Sequence, residues 1–227
     1  MSNSTTEKKN AALKAVEQVK SGMTLGLGTG STAYFAIEAI GEQWKAGTLT
    51  AIRAIPTSEA TAAQASSYGI PLVELADVDR IDLTIDGADE FDPHLRLIKG
   101  GGGALFREKL VAFASDKMLV ISDASKEVEY LGAFPLPVEV LPKAIRLVQR
   151  VLTEKGYSPV LRTHKDGSPY LTDNQNCILD CHLEKIDDPE QLDLELHLVP
   201  GIVETGLFLG LATQVIVGQG DSVKVFG

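Results

Sequence analysis

The chain has 227 residues, 44% apolar and 6% aromatic, enough for one large or two small domains around a sizeable core. A net charge of −10 and an isoelectric point near 4.9 exclude nucleic acid and anionic membrane surfaces as general partners, so an anionic ligand must rely on local cations. No stretch approaches the roughly 18 apolar residues of a membrane span, and the polar, then amphipathic, first 20 residues lack the order of a signal peptide, so a cytoplasmic location is expected.

Ser4, Thr5 and Thr6 offer N-caps for a first helix, with Ala12, Val16 and Val19 on one face. A strand over Thr24–Gly28 leads through Thr29-Gly30-Ser31-Thr32 into a helix from Ala33 to Trp44. A strand at Ala51–Ile55 precedes Ser58, a cap for a helix over Glu59–Tyr68. Strands are expected at Leu72–Leu75 and Arg80–Asp86, a helix at Ala104–Ser115 and a strand at Met118–Ser122. Strands alternating with helices imply parallel βαβ units and an open sheet.

The rhythm changes near Phe134. Pro137–Leu141 reads as a strand, and Pro142 opens a helix with Ile145, Val148, Val151 and Leu152 as its apolar face. Strands at Pro159–Thr163 and Tyr170–His182 follow, joined through the hairpin signal Asp166-Gly167, then a helix over Pro189–Leu198 and a strand from Ile202. This β-α-β-β-α-β order is ferredoxin-like. Cys177 and Cys181 share one face of their strand and read as reduced core residues. The segments 206–210, 215–217 and 222–226 read as strands returning to the first domain. The expected architecture is therefore an α/β fold: an open, mostly parallel Rossmann-like sheet (1–130 plus 206–227) with an inserted ferredoxin-like α+β domain (131–205).

Three segments carry chemistry. Gly26-Leu27-Gly28-Thr29-Gly30-Ser31-Thr32 lies between a strand and a helix, where backbone N–H groups and the helix dipole bind phosphate. It is no dinucleotide fingerprint: Ser31 stands where the third glycine belongs, and the second strand ends without an acidic residue, at Pro56-Thr57-Ser58. A phosphomonoester fits better, and a capped structural turn remains the alternative. Asp86-Gly87-Ala88-Asp89-Glu90 follows a buried strand at the sheet edge where such folds bind ligands, or serves as a turn. Lys99 opens the run Gly100-Gly101-Gly102-Gly103, and Glu108 follows inside a helix. Four glycines are costly to order, which argues for a ligand role. A lysine, bare N–H groups and carboxylates are the parts needed to abstract a proton beside a carbonyl. Lys126 ends Asp123-Ala124-Ser125-Lys126 at the same sheet edge, and the four histidines match no metal-ligand spacing.

Together these segments resemble the type A ribose-5-phosphate isomerase family, along with Arg107-Glu108-Lys109, Phe134-Pro135-Leu136-Pro137-Val138-Glu139-Val140 and Gly206-Leu207-Phe208. The resemblance spans nearly the whole chain. It implies an aldose–ketose isomerase of the pentose phosphate pathway that interconverts ribose 5-phosphate and ribulose 5-phosphate through a cis-enediolate. It further implies no metal or organic cofactor and a homodimer or homotetramer. The implied substrate-binding residues are Thr29, Gly30, Ser31, Thr32, Asp86, Gly87, Ala88, Asp89, Lys99, Gly100, Gly101, Gly102 and Lys126. Glu108 is implied as the proton acceptor, with Lys99, Asp86 and Asp89 as catalytic partners, and Lys8 matches a lysine of the family's active site. Two other classes fit less well. A sugar-phosphate sensor lacks a helix-turn-helix segment here and leaves Glu108 idle, and a nicotinamide-dependent dehydrogenase fails on the fingerprint.

Overall fold

A computed structural model describes residues 3–227. In chain order the elements are α1 (Asn3–Val16), β1 (Thr24–Leu27), α2 (Ala33–Lys45), β2 (Arg53–Pro56), α3 (Glu59–Ser67), β3 (Leu83–Gly87), β4 (Glu90–Phe91), β5 (Leu97–Ile98), α4 (Leu105–Phe113), β6 (Met118–Asp123), β7 (Leu136–Val140), α5 (Ile145–Glu154), β8 (Pro159–Leu161), β9 (Cys177–Cys181), α6 (Pro189–His197), β10 (Ile202–Thr205), β11 (Leu207–Phe208), β12 (Gln214–Gln219) and β13 (Ser222–Phe226). They form two compact units. One comprises the chain up to Ala88 with Arg107–Lys126 and Gly210–Gly227; the other comprises Asp89–Phe106 with Glu127–Leu209.

The first unit holds a six-stranded sheet in the order β13-β12-β6-β3-β1-β2, parallel except for the final β12–β13 hairpin. Every residue of β1 and β6 is buried. Such strands are covered on both faces and read as apolar runs rather than alternating ones. One core cluster sets Leu25, Leu27, Leu119 and Ile216 against Ala11 and Ala15 of α1 and Ile37 and Ile40 of α2. A smaller one joins Ile55, Ile81 and Val111. The chain leaves β1 for β2 on one side and comes back to β3 on the other. That reversal opens a crevice at the carboxyl ends of β1 and β3.

The second unit contains β7-α5-β8-β9-α6-β10, with sheet order β10-β7-β9-β8 and every neighbouring pair antiparallel. This is the ferredoxin-like arrangement expected from the element order. Val148, Leu152, Leu192 and Leu196 of the two helices pack on Val138, Val140, Leu179 and Cys181. Strand alternation therefore turns Pro137, Glu139, Ile178 and Asp180 to the other face. Both cysteines are free and buried. A separate three-stranded sheet has the order β11-β5-β4.

Five expectations differ from the structure. The segment expected as a strand at Leu72–Leu75 only touches the edge strand, Val73 N–H donating to the Ala54 carbonyl at 3.0 Å and the preceding Pro71 carbonyl accepting from Ala54 N–H at 2.8 Å, then tightens into a 3-10 turn over Leu75–Asp77. The expected strand Tyr170–His182 is interrupted by a turn, because Thr172 N–H donates to the Asn176 carbonyl at 2.8 Å and Gln175 takes φ of +62°. Ser4, Thr5 and Thr6, expected as caps, lie inside α1. Leu207–Phe208, expected to return to the first domain, pairs instead with Leu97–Ile98 in the second unit. Two-residue strands such as β4, β5 and β11 are too short to show a period. For the same reason the segment Asp89–Phe106, expected within 1–130, groups with the second unit.

Candidate functional site

In the first unit the carboxyl ends of β1, β3 and β6 are neighbours, and they carry residues 28–32, 86–88 and 123–126. Gly28 N–H donates to the Ile85 carbonyl at 2.9 Å, lacing the loop to β3. A Cβ at Gly28 would overlap the Asp86 carboxylate, so only glycine permits this approach. Asp86 is fully buried, and its Oδ1 accepts from Thr29 N–H at 3.1 Å and Gly87 N–H at 2.7 Å. The structure thus brings two of the sequence motifs into contact.

The hydroxyls of the loop divide in their roles. Thr29 Oγ1 lies 2.7, 2.8 and 3.2 Å from the hydroxyls of Thr57, Ser58 and Thr61, so this side chain shapes the loop. Ser31 is exposed, while Thr32, at the N-terminus of α2, is buried and makes no side-chain cap bond. The capping alternative is therefore not met at Thr32. Lys8 of α1 donates to Ser31 Oγ at 3.1 Å and lies 3.7 Å from the Asp123 carboxylate. A cavity of about 710 Å³ opens here, lined among others by Lys8, Gly28, Thr29, Gly30 and Ser31. The dipole of α2 and the Lys8 ammonium supply positive potential within an acidic chain.

Asp123, at the end of β6, has lost most of its water. Burial works to raise its carboxyl, but the Ser125 hydroxyl and N–H, the Ser4 hydroxyl and the Lys8 ammonium together hold it below the ordinary carboxylate range. Lys126 closes the following 3-10 turn, partly exposed. Glu108 stands in the first turn of α4 with 4% exposure, while its neighbour Arg107 pairs with Glu59 at 2.8 Å.

The second unit holds Asp89 and Lys99–Gly103. Lys99 follows β5 and is only 2% exposed, its backbone N–H donating to the Gly206 carbonyl at 2.9 Å and its ammonium 5.3 Å from the Phe208 ring centroid. Gly100 and Gly103 have φ of +106° and +80°, and Gly103 N–H donates to the Gly100 carbonyl at 2.9 Å. This turn exposes Gly101 and Gly102. Asp89 Oδ2 accepts from Gly101 N–H at 2.7 Å. Glu90, at the end of the same acidic motif, is structural: its buried carboxylate accepts from Gly132 N–H at 2.8 Å and Phe134 N–H at 2.5 Å. Arg162 and Tyr170, which are not among the residues marked by sequence, also reach the glycine run from the segment after β8. No motif or spacing marks them, because their role depends on pairing across a sheet. Among the described residues, no group of three or more His, Cys, Asp or Glu is placed to hold a metal ion.

A profile of the family described as ribose 5-phosphate isomerase A (phosphoriboisomerase A) matches residues 53–222. Ribose-5-phosphate isomerase A of Parvibaculum lavamentivorans is 51% identical over 229 residues, covering 98% of each chain. The protein of that name from Rhodopseudomonas palustris strain HaA2 is 48% identical over 96% of this chain and 95% of its own. Among solved structures, a D-ribose-5-phosphate isomerase in complex with phospho-erythronic acid superposes with a TM-score of 0.94 at 39% identity, covering 96% of both chains. Ribose 5-phosphate isomerase A from Methanocaldococcus jannaschii gives 0.92 at 42% identity, covering 96% of this chain and 97% of that one.

Proposed function

This chain belongs to the ribose 5-phosphate isomerase A family, and on that footing we propose which of its residues carry the reaction. The enzyme interconverts ribose 5-phosphate and ribulose 5-phosphate, a step of the pentose phosphate pathway. Such an isomerisation moves a proton between C1 and C2, through a cis-enediolate if one base serves both carbons from one face. Glu108 is that base; a positioned base contributes roughly 10²–10⁴ in rate. Lys99 and the N–H groups of Gly100–Gly102 receive the developing oxyanion, each donor being worth about 3–4 kcal/mol. Asp86 and Asp89, with the Gly87-Ala88 backbone that joins them, hold sugar hydroxyls, and one of the two carboxylates assists ring opening. The phosphate sits on Thr29–Thr32 at the N-terminus of α2, with Lys126 and Lys8 as cations. The bound phospho-sugar acid of the relative supports a phosphorylated sugar as ligand.

The observation that carries the reading is a carboxylate, Glu108, buried to 4% exposure in the first turn of a helix that follows a glycine run opened by an equally buried lysine. Glu108→Gln keeps size and hydrogen bonding but removes basicity. The variant should fold, bind substrate with similar affinity and lose at least about 10²-fold in kcat. In deuterated water the wild type should place deuterium on the substrate carbon and the variant should not. Near-wild-type turnover would move the base to Asp86 or Asp89.

A further inference from the structure

We propose that Arg162, locked by Asp180 and seconded by Tyr170, is a positioning clamp that aims the peptides of Gly100–Gly102. The proposal rests on the reading that this run receives the oxyanion.

The clamp is built from the second unit alone. Arg162 directly follows β8; its N–H donates to the Ile178 carbonyl at 2.9 Å, and its own carbonyl accepts from Tyr170 N–H at 2.9 Å. Its guanidinium makes a two-pronged pair with Asp180, Nε to Oδ2 at 2.9 Å and Nη2 to Oδ1 at 2.5 Å. The side chains of this pair are 15% and 20% exposed. The remaining Nη1 donates to the carbonyls of Gly100 at 2.9 Å and Gly101 at 3.2 Å. The Tyr170 hydroxyl donates to the next carbonyl, that of Gly102, at 3.3 Å, and its ring centroid lies 5.9 Å from the guanidinium carbon. The far end of this segment is tied down as well. The Thr172 hydroxyl and Asn176 amide donate at 3.0 and 2.9 Å to the fully buried Glu139.

Peptide geometry turns this into an argument about the run. In a trans peptide the carbonyl of one residue and the N–H of the next point in opposite directions. Drawing the Gly100 and Gly101 carbonyls toward Arg162 therefore points the Gly101 and Gly102 N–H groups away from it. Gly101 N–H meets Asp89, and Gly102 N–H makes no hydrogen bond among the described residues. Glycine peptides left unrestrained sample many orientations. Donors that must be aimed before charge develops need an external restraint, and a planar guanidinium held by a carboxylate is a rigid one. An arginine meant for the substrate phosphate would keep its fork open; here Asp180 closes it.

A clamp of this kind acts on the transition state rather than on ground-state affinity. Arg162→Gln should lower kcat at least about tenfold and hold KM for ribose 5-phosphate within about threefold. Inhibition by inorganic phosphate should be unchanged. Arg162→Lys should not rescue kcat, because an ammonium cannot grip a carboxylate and two carbonyls in one plane. Lys99→Ala is measured in parallel. If Lys99→Ala loses kcat while folded Arg162→Gln retains it, the clamp is wrong and the reading of the run stands. If neither loses kcat, the reading of the run falls and the clamp falls with it. A rise in KM that accounts for the whole loss would also overturn the clamp, making Arg162 a ground-state ligand. Should Arg162→Gln fail to fold, Asp180→Asn decides, since it loosens the grip on the guanidinium while leaving Arg162 in place: a kcat loss of about threefold or more at constant KM supports the clamp, and unchanged kcat overturns it.

Discussion

Burying an ammonium is costly, and Lys99 is 2% exposed. The return on that cost comes when negative charge develops after substrate has bound. Lys99→Ala should therefore depress kcat more than it raises KM; a pure rise in KM would make Lys99 a phosphate ligand. Ser31 differs, being exposed and bonded to Lys8 in the cavity at the end of β1. Ser31→Ala should raise KM for ribose 5-phosphate by roughly threefold to tenfold at nearly constant kcat, while turnover of unphosphorylated ribose barely changes. Equal effects on both sugars would place the phosphate elsewhere.

At the scale of elements, the end of β6 depends on a carboxylate. Asp123 links the strand to α1 through Ser4 and Lys8 and to the following turn through Ser125. Its folded pKa is depressed, so the stability it contributes is fully present above the unfolded value of about 3.9 and is lost as pH falls through the lower folded value. Urea unfolding of the wild type and Asp123→Asn should show a constant gap in midpoint near neutrality that narrows below about pH 4. A gap that stays constant into strong acid would show that the charge of Asp123 contributes nothing.

At the scale of the whole molecule, the net charge is −10, and the cations assigned to substrate, Lys8, Lys99 and Lys126, are individually placed. The chemistry proposed for them asks nothing of a metal. Exhaustive dialysis against EDTA should leave turnover unchanged, and a loss restored by Mg²⁺ or Zn²⁺ would overturn the mechanism. Leu194 and Leu198, 64% and 81% exposed in and just after α6, sit on the second unit with the half-exposed Leu141 and Leu171. A homodimer or homotetramer is the expected state, and light scattering that finds a monomer at micromolar concentration would contradict it.

Alternation, apolar runs and glycine punctuation are local, and so were the features read from sequence alone. The parallel sheet of β1, β3 and β6, the β-α-β-β-α-β order of the second unit and the cap at Ser58 were all legible this way. The motifs around Gly28, Asp86, Lys99 and Glu108 stood out because a run of glycines is costly to order and because a lysine, bare N–H groups and carboxylates are the parts of proton abstraction. Only the tertiary structure decided what depends on pairing between distant segments. It seated Leu207–Phe208 on Leu97–Ile98, turned the Thr29 hydroxyl toward Thr57 and Ser58, and set Arg162 on the glycine carbonyls. Each of those contacts joins residues at least 28 positions apart. No period or spacing along the chain encodes such contacts; they exist only once strand register has chosen which side chains share a face.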